Sequence, residues 1–467
     1  MIFEQFYLGC LAHASYMIGS EGIAAVVDTQ RDVGIYLDTA RQHELRIAHI
    51  IETHLHADFV SGHGELAQRT GATIHLGKNS GATFPHHAVR DGDEIGLGHC
   101  RLRFVETPGH TLESVSVVVT DLERGPDPVA VLTGDTLFIG DVGRPDLSET
   151  HTPRDLAGLL YDSLHRKLLV LPDGVEVYPA HGAGSMCGRN ISADRSSTIG
   201  RERRTNYALQ PMDREQFIQL MTQDLPARPE YFRRDVDVNR HGAAALEELP
   251  PLRAMTPEEV LERQRQGMTV LDTRAAMPYA SGHVPGSVQI GLSGQFAAWA
   301  GSILGLDREL ILVAEDGQTI EEARLRLARV GIERVAGALA GGIAEWARAG
   351  LPLEHTEQVT VSELDSEISA GSGLAVVDVR RQPEWNQGHL AGALHHPLDR
   401  LRETMDSLDR SRPYAVHCKS GYRSLIACSL LEQQGFSRPI NVLGGLDAWT
   451  AAGLPVVRAG GGAFAAT

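Results

Sequence analysis

The feature that most constrains this chain is a repeat. Between the linker Leu249-Pro250-Pro251 and Arg458 the sequence passes the same signposts twice. Val270-Leu271-Asp272-Thr273-Arg274 returns as Val376-Val377-Asp378-Val379-Arg380, and Gly282-His283-Val284-Pro285-Gly286 returns as Gly388-His389-Leu390-Ala391-Gly392. Gly341-Gly342-Ile343-Ala344-Glu345-Trp346 returns as Gly444-Gly445-Leu446-Asp447-Ala448-Trp449. Self-similarity at one spacing marks a duplicated structural unit. In each copy, short apolar runs alternate with helix-periodic segments, the pattern of an α/β unit.

The copies diverge where chemistry would sit. In the second, Tyr414-Ala415-Val416-His417 reads as a strand and Leu425 to Glu432 as a helix, with Cys418-Lys419-Ser420-Gly421-Tyr422-Arg423-Ser424 between them. A thiol on such a loop lies among backbone N–H groups at the positive end of a helix. Lys419 and Arg423 add cationic character, so Cys418 is a candidate nucleophile and carrier of sulfur. Cys428, on the helix that follows, is a plain buried cysteine. In the first copy the strand Leu310-Ile311-Leu312-Val313 runs into Ala314-Glu315-Asp316-Gly317-Gln318, and Glu315 is expected at the place of Cys418. A carboxylate there carries no sulfur and repels anions.

Upstream of the linker the organising stretch is Thr53-His54-Leu55-His56-Ala57-Asp58-Phe59-Val60-Ser61-Gly62, which follows the apolar strand Ile47-Ala48-His49-Ile50-Ile51-Glu52. Three more segments end in a metal-ligating residue: Thr107-Pro108-Gly109-His110, Leu132-Thr133-Gly134-Asp135 and Val177-Tyr178-Pro179-Ala180-His181. Neutral imidazoles with a carboxylate beside them are a common metal shell. Around them, Arg144 could anchor an anion or pair with Asp146. Cys187, in Gly184-Ser185-Met186-Cys187-Gly188, could relay sulfur or be an ordinary loop thiol. Arg195, Arg201, Arg203 and Arg204 could receive anionic arms of a cofactor or form a solvated helix face. Cys10 near the first hairpin reads as a buried thiol.

Composition bounds the rest. A chain of 467 residues predicts about three domains. The net charge of −17 argues against nucleic acid or anionic membrane as partner. No apolar run approaches the ~20 residues of a membrane-spanning helix. Five widely spaced cysteines without CxxC do not form a disulfide framework. Met1-Ile2-Phe3-Glu4-Gln5-Phe6 lacks the marks of a secretion signal, so a cytoplasmic location is expected.

The ordered His and Asp residues resemble the metallo-β-lactamase superfamily over residues 1 to about 245, and the Asp-x-Arg, Gly-His-x-x-Gly and Gly-Gly-x-x-x-Trp sequences resemble rhodanese domains. The resemblance implies a mixed α/β and α+β multidomain chain: an αββα sandwich over 1–248, a rhodanese-like domain without the catalytic Cys over 254–355, and a rhodanese domain carrying Cys418 over 357–460. The binuclear hydrolases of the superfamily have a His where Phe59 stands, which favours one metal. Members with one metal include persulfide dioxygenases, and carried over by motif their Fe(II) ligands are His54, His110 and Asp135, one iron per chain. Two His and one carboxylate leave open positions for substrate and dioxygen. His56, Asp58, His181, Tyr178 and Arg144 then line the pocket or orient ligands. The domain order resembles fused persulfide dioxygenase–sulfurtransferases. It implies oxidation of a low-molecular-weight persulfide, of glutathione or coenzyme A type, by O2 to sulfite. Sulfane-sulfur transfer through Cys418, with Lys419 and Arg423 beside it, then makes thiosulfate or runs in reverse. Homo-oligomers are expected. Two other readings compete: a zinc-dependent hydroxyacylglutathione-type thioester hydrolase, and a sulfur-carrier scaffold whose function would rest on Cys418 alone.

Overall fold

The computed structural model describes residues 1–223, 225 and 228–458; Ala459 and Gly460, at the end of the third expected domain, lie outside the described residues, as do positions 224, 226 and 227. The chain folds as two compact units. One is Met1–Pro250 with Leu327–Gly331, and the other takes Pro251–Arg326 and the described chain from Ile332 onward.

The first unit holds two six-stranded sheets. Strands Ile2–Leu8, His13–Ser20 and Ile23–Val27 pair antiparallel, and Arg46–Ile51, Thr73–Gly77 and His87–Val89 continue that sheet in parallel. The second sheet runs Ser197–Thr198, Glu176–Pro179, Pro128–Gly134, Val115–Asp121, Cys100–Glu106, Glu94–Leu97. Tyr16, Ile18, Val27 and Ile51 of the first sheet meet Phe104, Val117, Val119 and Leu132 of the second in one buried layer. Burying both apolar faces at once is the main driving force for a sheet-on-sheet packing. Helices Gly34–Gln42 and His63–Thr70 cover the outside of the first sheet, and Pro153–Ser163 and Arg214–Thr222 cover the second. Pro153–Ser163 begins with a Thr152–Asp155 capping box and Pro153 in its first turn, a strong start signal. Leu164–Leu168 continues this helix as a wider π turn that keeps both end leucines in the core.

The second unit holds two five-stranded parallel sheets built alike. One runs Ala254–Met255, Val335–Leu339, Leu310–Val313, Thr269–Asp272, Val288–Gln289, and the other Glu357–Val359, Pro439–Val442, Tyr414–His417, Ala375–Asp378, Leu394–His395. The repeated motifs are structural in both copies. Asp272 and Asp378 are fully buried carboxylates, each gripped by the Arg two residues on, at 2.6 and 2.5 Å. Each Arg also donates to a glycine carbonyl, Gly282 and Gly388. His283 and His389 stack on Tyr279 and Trp385, with centroids 3.9 and 3.6 Å apart. Trp346 and Trp449 cap their cores and donate to Pro352 and Pro455. No described helix is long and apolar enough to cross a membrane.

Candidate functional site

The strands of the first unit deliver His and Asp side chains from distant segments to one buried point. His54 Nε2 lies 3.8 Å and His110 Nε2 3.3 Å from Asp135 Oδ2. All three residues are 1% exposed or less. Close approach is built into the backbone: a Cβ at Gly143 would strike the Asp135 carbonyl and the His110 ring, and Gly134, at φ 51°, lies against Thr53.

Hydrogen bonds fix which imidazole nitrogen is free. His110 Nδ1 donates to the Arg144 carbonyl at 3.0 Å, so its Nε2 keeps a lone pair. Thr53 Oγ1 gives its proton to Asp28 Oδ2 at 3.0 Å and must therefore accept from His54 Nδ1, also at 3.0 Å, which frees His54 Nε2. Burial pushes His54 well below the ordinary imidazole range, helped by neighbouring imidazoles, and lowers His110 against the pull of Asp135. Both are neutral, as metal ligands must be. Their Nε2 atoms and both Asp135 oxygens have no hydrogen-bond partner. Orphaned, buried and convergent donors of this kind fit a metal ion and little else.

His56 lies beside this cluster, its ring centroid 4.2 Å from that of His54 and its Nδ1 buried without a hydrogen-bond partner. Its Nε2 faces Asp28 at 3.2 Å and Glu52 at 3.4 Å. Burial opposes a charge there, but the Asp28 and Glu52 carboxylates raise it well above the ordinary imidazole range. Glu52 is tied in by the Thr29 N–H and Ser61. The resulting network anchors the His54 segment through Asp28, which also accepts from the Thr53 N–H at 2.7 Å. Phe59 is buried, 4.1 Å from the His13 ring and 4.4 Å from His56. An apolar ring fills the space a further ligand would need. His181 Nε2 lies 3.4 Å from Asp58 Oδ1 and 3.7 Å from Asp135 Oδ1. Burial works against its charge, yet Asp135 and Asp58 bring it up to about 9.

Other expectations fare differently. Arg144 is committed to Asp146 through two bonds of 2.6 and 2.8 Å, so it pairs with Asp146. Its backbone does the site work: the N–H donates to the Cys187 carbonyl and the carbonyl holds His110. Tyr178 packs on Phe3 and Tyr16 and donates to Glu176, outside the His and Asp cluster. Of the basic run, Arg201 pairs with Asp194, Arg203 with Asp173, and Arg195 lies over the Tyr7 ring. Cys187 is 1% exposed, and burial together with Asp58 and Asp135 pushes its thiol well up. Cys10 is half-buried. Sequence reading passes over His13, a buried imidazole with both nitrogens unpartnered beside Phe59, His56 and His181. Its position at the start of strand His13–Ser20, one more strand end carrying a histidine, is the signal that could have found it.

In the second unit, Cys418 directly follows the central strand Tyr414–His417, and its Sγ accepts from the Gly421 N–H at 3.1 Å. Gly421, at φ 95°, caps helix Tyr422–Gln433, whose first turn opens onto the thiol. Arg423 is held by Glu384 through two 2.7 Å bonds, and Lys419 is exposed. Strand register corrects one expectation. Asp378 pairs with His417 and Asp272 with Val313, so Ala314, not Glu315, occupies the place of Cys418. The Ala314 carbonyl approaches Gly342 as the Cys418 carbonyl approaches Gly445, which agrees with that register. Glu315 matches Lys419 and is exposed.

A metallo-beta-lactamase superfamily model matches residues 8–181, and a rhodanese-like domain model matches 256–349 and 360–452. A persulfide dioxygenase, ETHE1, mitochondrial, of Homo sapiens is 32% identical over 178 residues, covering 38% of this chain and 62% of that protein. A sulfurtransferase of Allochromatium vinosum is 36% identical over 102 residues, covering 21% of this chain and 95% of that protein. The crystal structure of a metallo-beta-lactamase from Staphylococcus aureus is 32% identical, with a TM-score of 0.66, and covers 73% of this chain and 98% of that one. The chain thus spans about three-fifths of the length of the curated persulfide dioxygenases it matches.

Proposed function

Because the chain belongs to the metallo-β-lactamase superfamily and carries two rhodanese-like domains, we propose that it is a sulfur-metabolising enzyme that oxidises a low-molecular-weight persulfide with O2 and transfers sulfane sulfur through Cys418. One observation carries the oxidative half: two imidazole Nε2 atoms, freed by tautomer-fixing bonds to Thr53 and Arg144, converge on Asp135 while Phe59 blocks a further ligand. His54, His110 and Asp135 would hold one Fe(II). Iron in a two-His, one-carboxylate shell supplies open positions for a sulfur ligand and dioxygen.

The chain's own residues do the rest. Thr53 and the Arg144 carbonyl keep both ligand rings neutral and aimed. The Asp28–His56–Glu52 network fixes the His54 segment, and Phe59 keeps water from the far side of it. Cys187 stands at the same cluster as an ordinary buried thiol, since burial with Asp58 and Asp135 disfavours the thiolate that sulfur relay requires. In the rhodanese-like domain, the Gly421 N–H and the helix first turn stabilise an anionic sulfur on Cys418, Lys419 offers a cation to an incoming sulfite or thiosulfate, and Arg423 fastens the loop to Glu384. The proposed boundaries are 1–248, 254–355 and 357–460, with the middle domain inert in sulfur transfer.

A zinc thioester hydrolase is the second reading, favoured by the neighbouring His56, Asp58 and His181 donors, which lie within 4.8 Å of one another. Phe59, which offers no ligand where such hydrolases hold their second metal, weighs against it. Protein purified without air decides between them. About one iron per chain, with oxygen uptake on glutathione persulfide that is lost in His110→Ala, supports the dioxygenase. Two zincs per chain, no oxygen uptake and cleavage of a glutathione thioester would overturn it.

A further inference from the structure

The first unit takes in one segment from beyond the linker, Leu327–Gly331, which in sequence lies within the first rhodanese-like match. Its central residue, Arg329, is 9% exposed and makes three separate attachments. The guanidinium holds Asp32 through two bonds of 2.8 Å, and its Nη1 donates to Cys10 Sγ at 3.5 Å. The Arg329 carbonyl accepts from the Val60 N–H at 2.8 Å. A forked Arg–carboxylate pair fixes orientation as well as supplying attraction.

Each attachment lies next to a residue of the metal cleft. Val60 follows Phe59 directly. Asp32 closes the loop that starts at Asp28, the carboxylate that receives the Thr53 N–H and faces His56. Cys10 opens the turn that leads into His13, and His13 bridges to His181. Two of these loops hold a non-glycine residue in the left-handed backbone region, Ala12 at φ 52° and Asp28 at φ 55°. Residues stay in that region only where the surrounding contacts enforce it, and such strain gathers at functional sites.

We propose that Arg329 is a positioning residue of the metal cleft, tying the Cys10–Ala12, Asp28–Asp32 and Phe59–Val60 loops into one rigid wall. The proposal rests on the persulfide-oxidising reading and extends it: a repeat without a thiol supplies a residue to the oxidative site. Acting through loops rather than on the ligands, Arg329 governs how substrate is oriented, not whether a metal is held.

Full-length Arg329→Ala, Arg329→Lys and Asp32→Asn test this under argon, loaded with iron for oxygen uptake on glutathione persulfide or with Co2+ for the visible d–d spectrum. In Arg329→Ala the metal content and Cys418 sulfurtransfer should match wild type. Uptake kcat/KM should fall by at least about tenfold, and the cobalt bands should shift. Arg329→Lys, which keeps the charge but not the fork, and Asp32→Asn should fall between wild type and Arg329→Ala. Wild-type uptake and wild-type bands in Arg329→Ala would overturn the proposal. If Arg329→Ala instead loses metal and sulfurtransfer together, Arg329→Lys decides: unchanged bands and uptake there would make Arg329 a fastener of the fold alone. A wild-type chain that takes up no oxygen strikes the persulfide reading, and the cobalt spectra still decide the role of Arg329.

Discussion

The two rhodanese-like repeats share their sheets, their buried Asp–Arg pair, their stacked histidine and their Trp cap, yet only one has a sulfur atom where the central strand ends. Ala314 takes the position of Cys418, and helix Gly317–Ala328 begins three residues after it, against four for Tyr422–Gln433 after Cys418. The shared scaffold is therefore maintained by groups outside the loop that follows the central strand. The copies differ in that short loop without disturbing the core. The comparison also shows the copy without the thiol bracing the other one. Tyr422, next to the Gly421 that donates to Cys418, gives its hydroxyl proton to the Gly291 carbonyl at 2.7 Å, and the Gln289 N–H donates to Ser429.

The largest expected effect tests whether loop and thiol are separable. Cys418→Ser should lower thiosulfate sulfurtransfer by at least about a thousandfold. Ala314→Cys should gain none, because its loop is a residue shorter than the cradle of Cys418. Activity from the grafted thiol would mean that the cradle matters less than the nucleophile.

Next, Arg274→Ala and Arg380→Ala should each cost about 3–5 kcal/mol in urea unfolding, since each strands a buried carboxylate. Equal costs would mark the pair as scaffold in both repeats. A cost confined to Arg380→Ala would tie it to the thiol site.

A third test lies between the repeats. His283 Nε2 and Glu432 Oε2 are 3.6 Å apart, but burial drives both toward their neutral forms, Glu432 up to about 7 and His283 down to about 4. The contact is thus not an ion pair near neutral pH. For Glu432 the folded pKa exceeds the ordinary 4.5, so its contribution is present below pH 4.5 and lost as pH rises through about 7. For His283 the folded pKa lies below the ordinary 6.5, so its contribution is present above pH 6.5 and lost as pH falls through about 4. Each amounts to about 3 kcal/mol and they oppose one another. Wild-type stability of this unit should be nearly flat from pH 4.5 to 6.5. Glu432→Gln should make it rise with pH, and His283→Gln should make it fall. Parallel slopes in the two variants would show that the groups do not titrate independently.

The smallest effect is Tyr422→Phe, expected to cost about 1 kcal/mol as one buried hydrogen bond is lost. Sulfurtransfer falling with it would make the first repeat a positioning element for Cys418.

Much of the architecture was legible in the chain. The repeat is visible because Asp272 and Asp378, His283 and His389, and Trp346 and Trp449 make the same side-chain contacts at matching places in both copies. The strand ends carrying His54, His110 and Asp135 were legible because polar ligating residues interrupt apolar runs. What misled was alignment by residue count. Counted back from the Gly-Gly motif, Glu315 stands 26 residues before Gly341 as Cys418 stands 26 before Gly444, and only the pairing of Asp272 with Val313 and of Asp378 with His417 sets the register. Arg144 was legible as a cation but not as a backbone acceptor, because a carbonyl carries no sequence signature.

The sequence by itself determined the donor types and their order, the absence of a ligating side chain at Phe59, the duplication, and the presence of a cysteine after the central strand in only one copy. Those are properties of side chains and follow from residue identity. The tertiary structure alone decided that Nε2 rather than Nδ1 of His54 and His110 is free, that His56 serves Asp28 and Glu52, that His13 and Cys187 join the cluster, and that Asp135 presents an oxygen to each side. Each of these depends on which atoms of segments far apart in the chain lie within about 4 Å, the range over which hydrogen bonds and ligand contacts act.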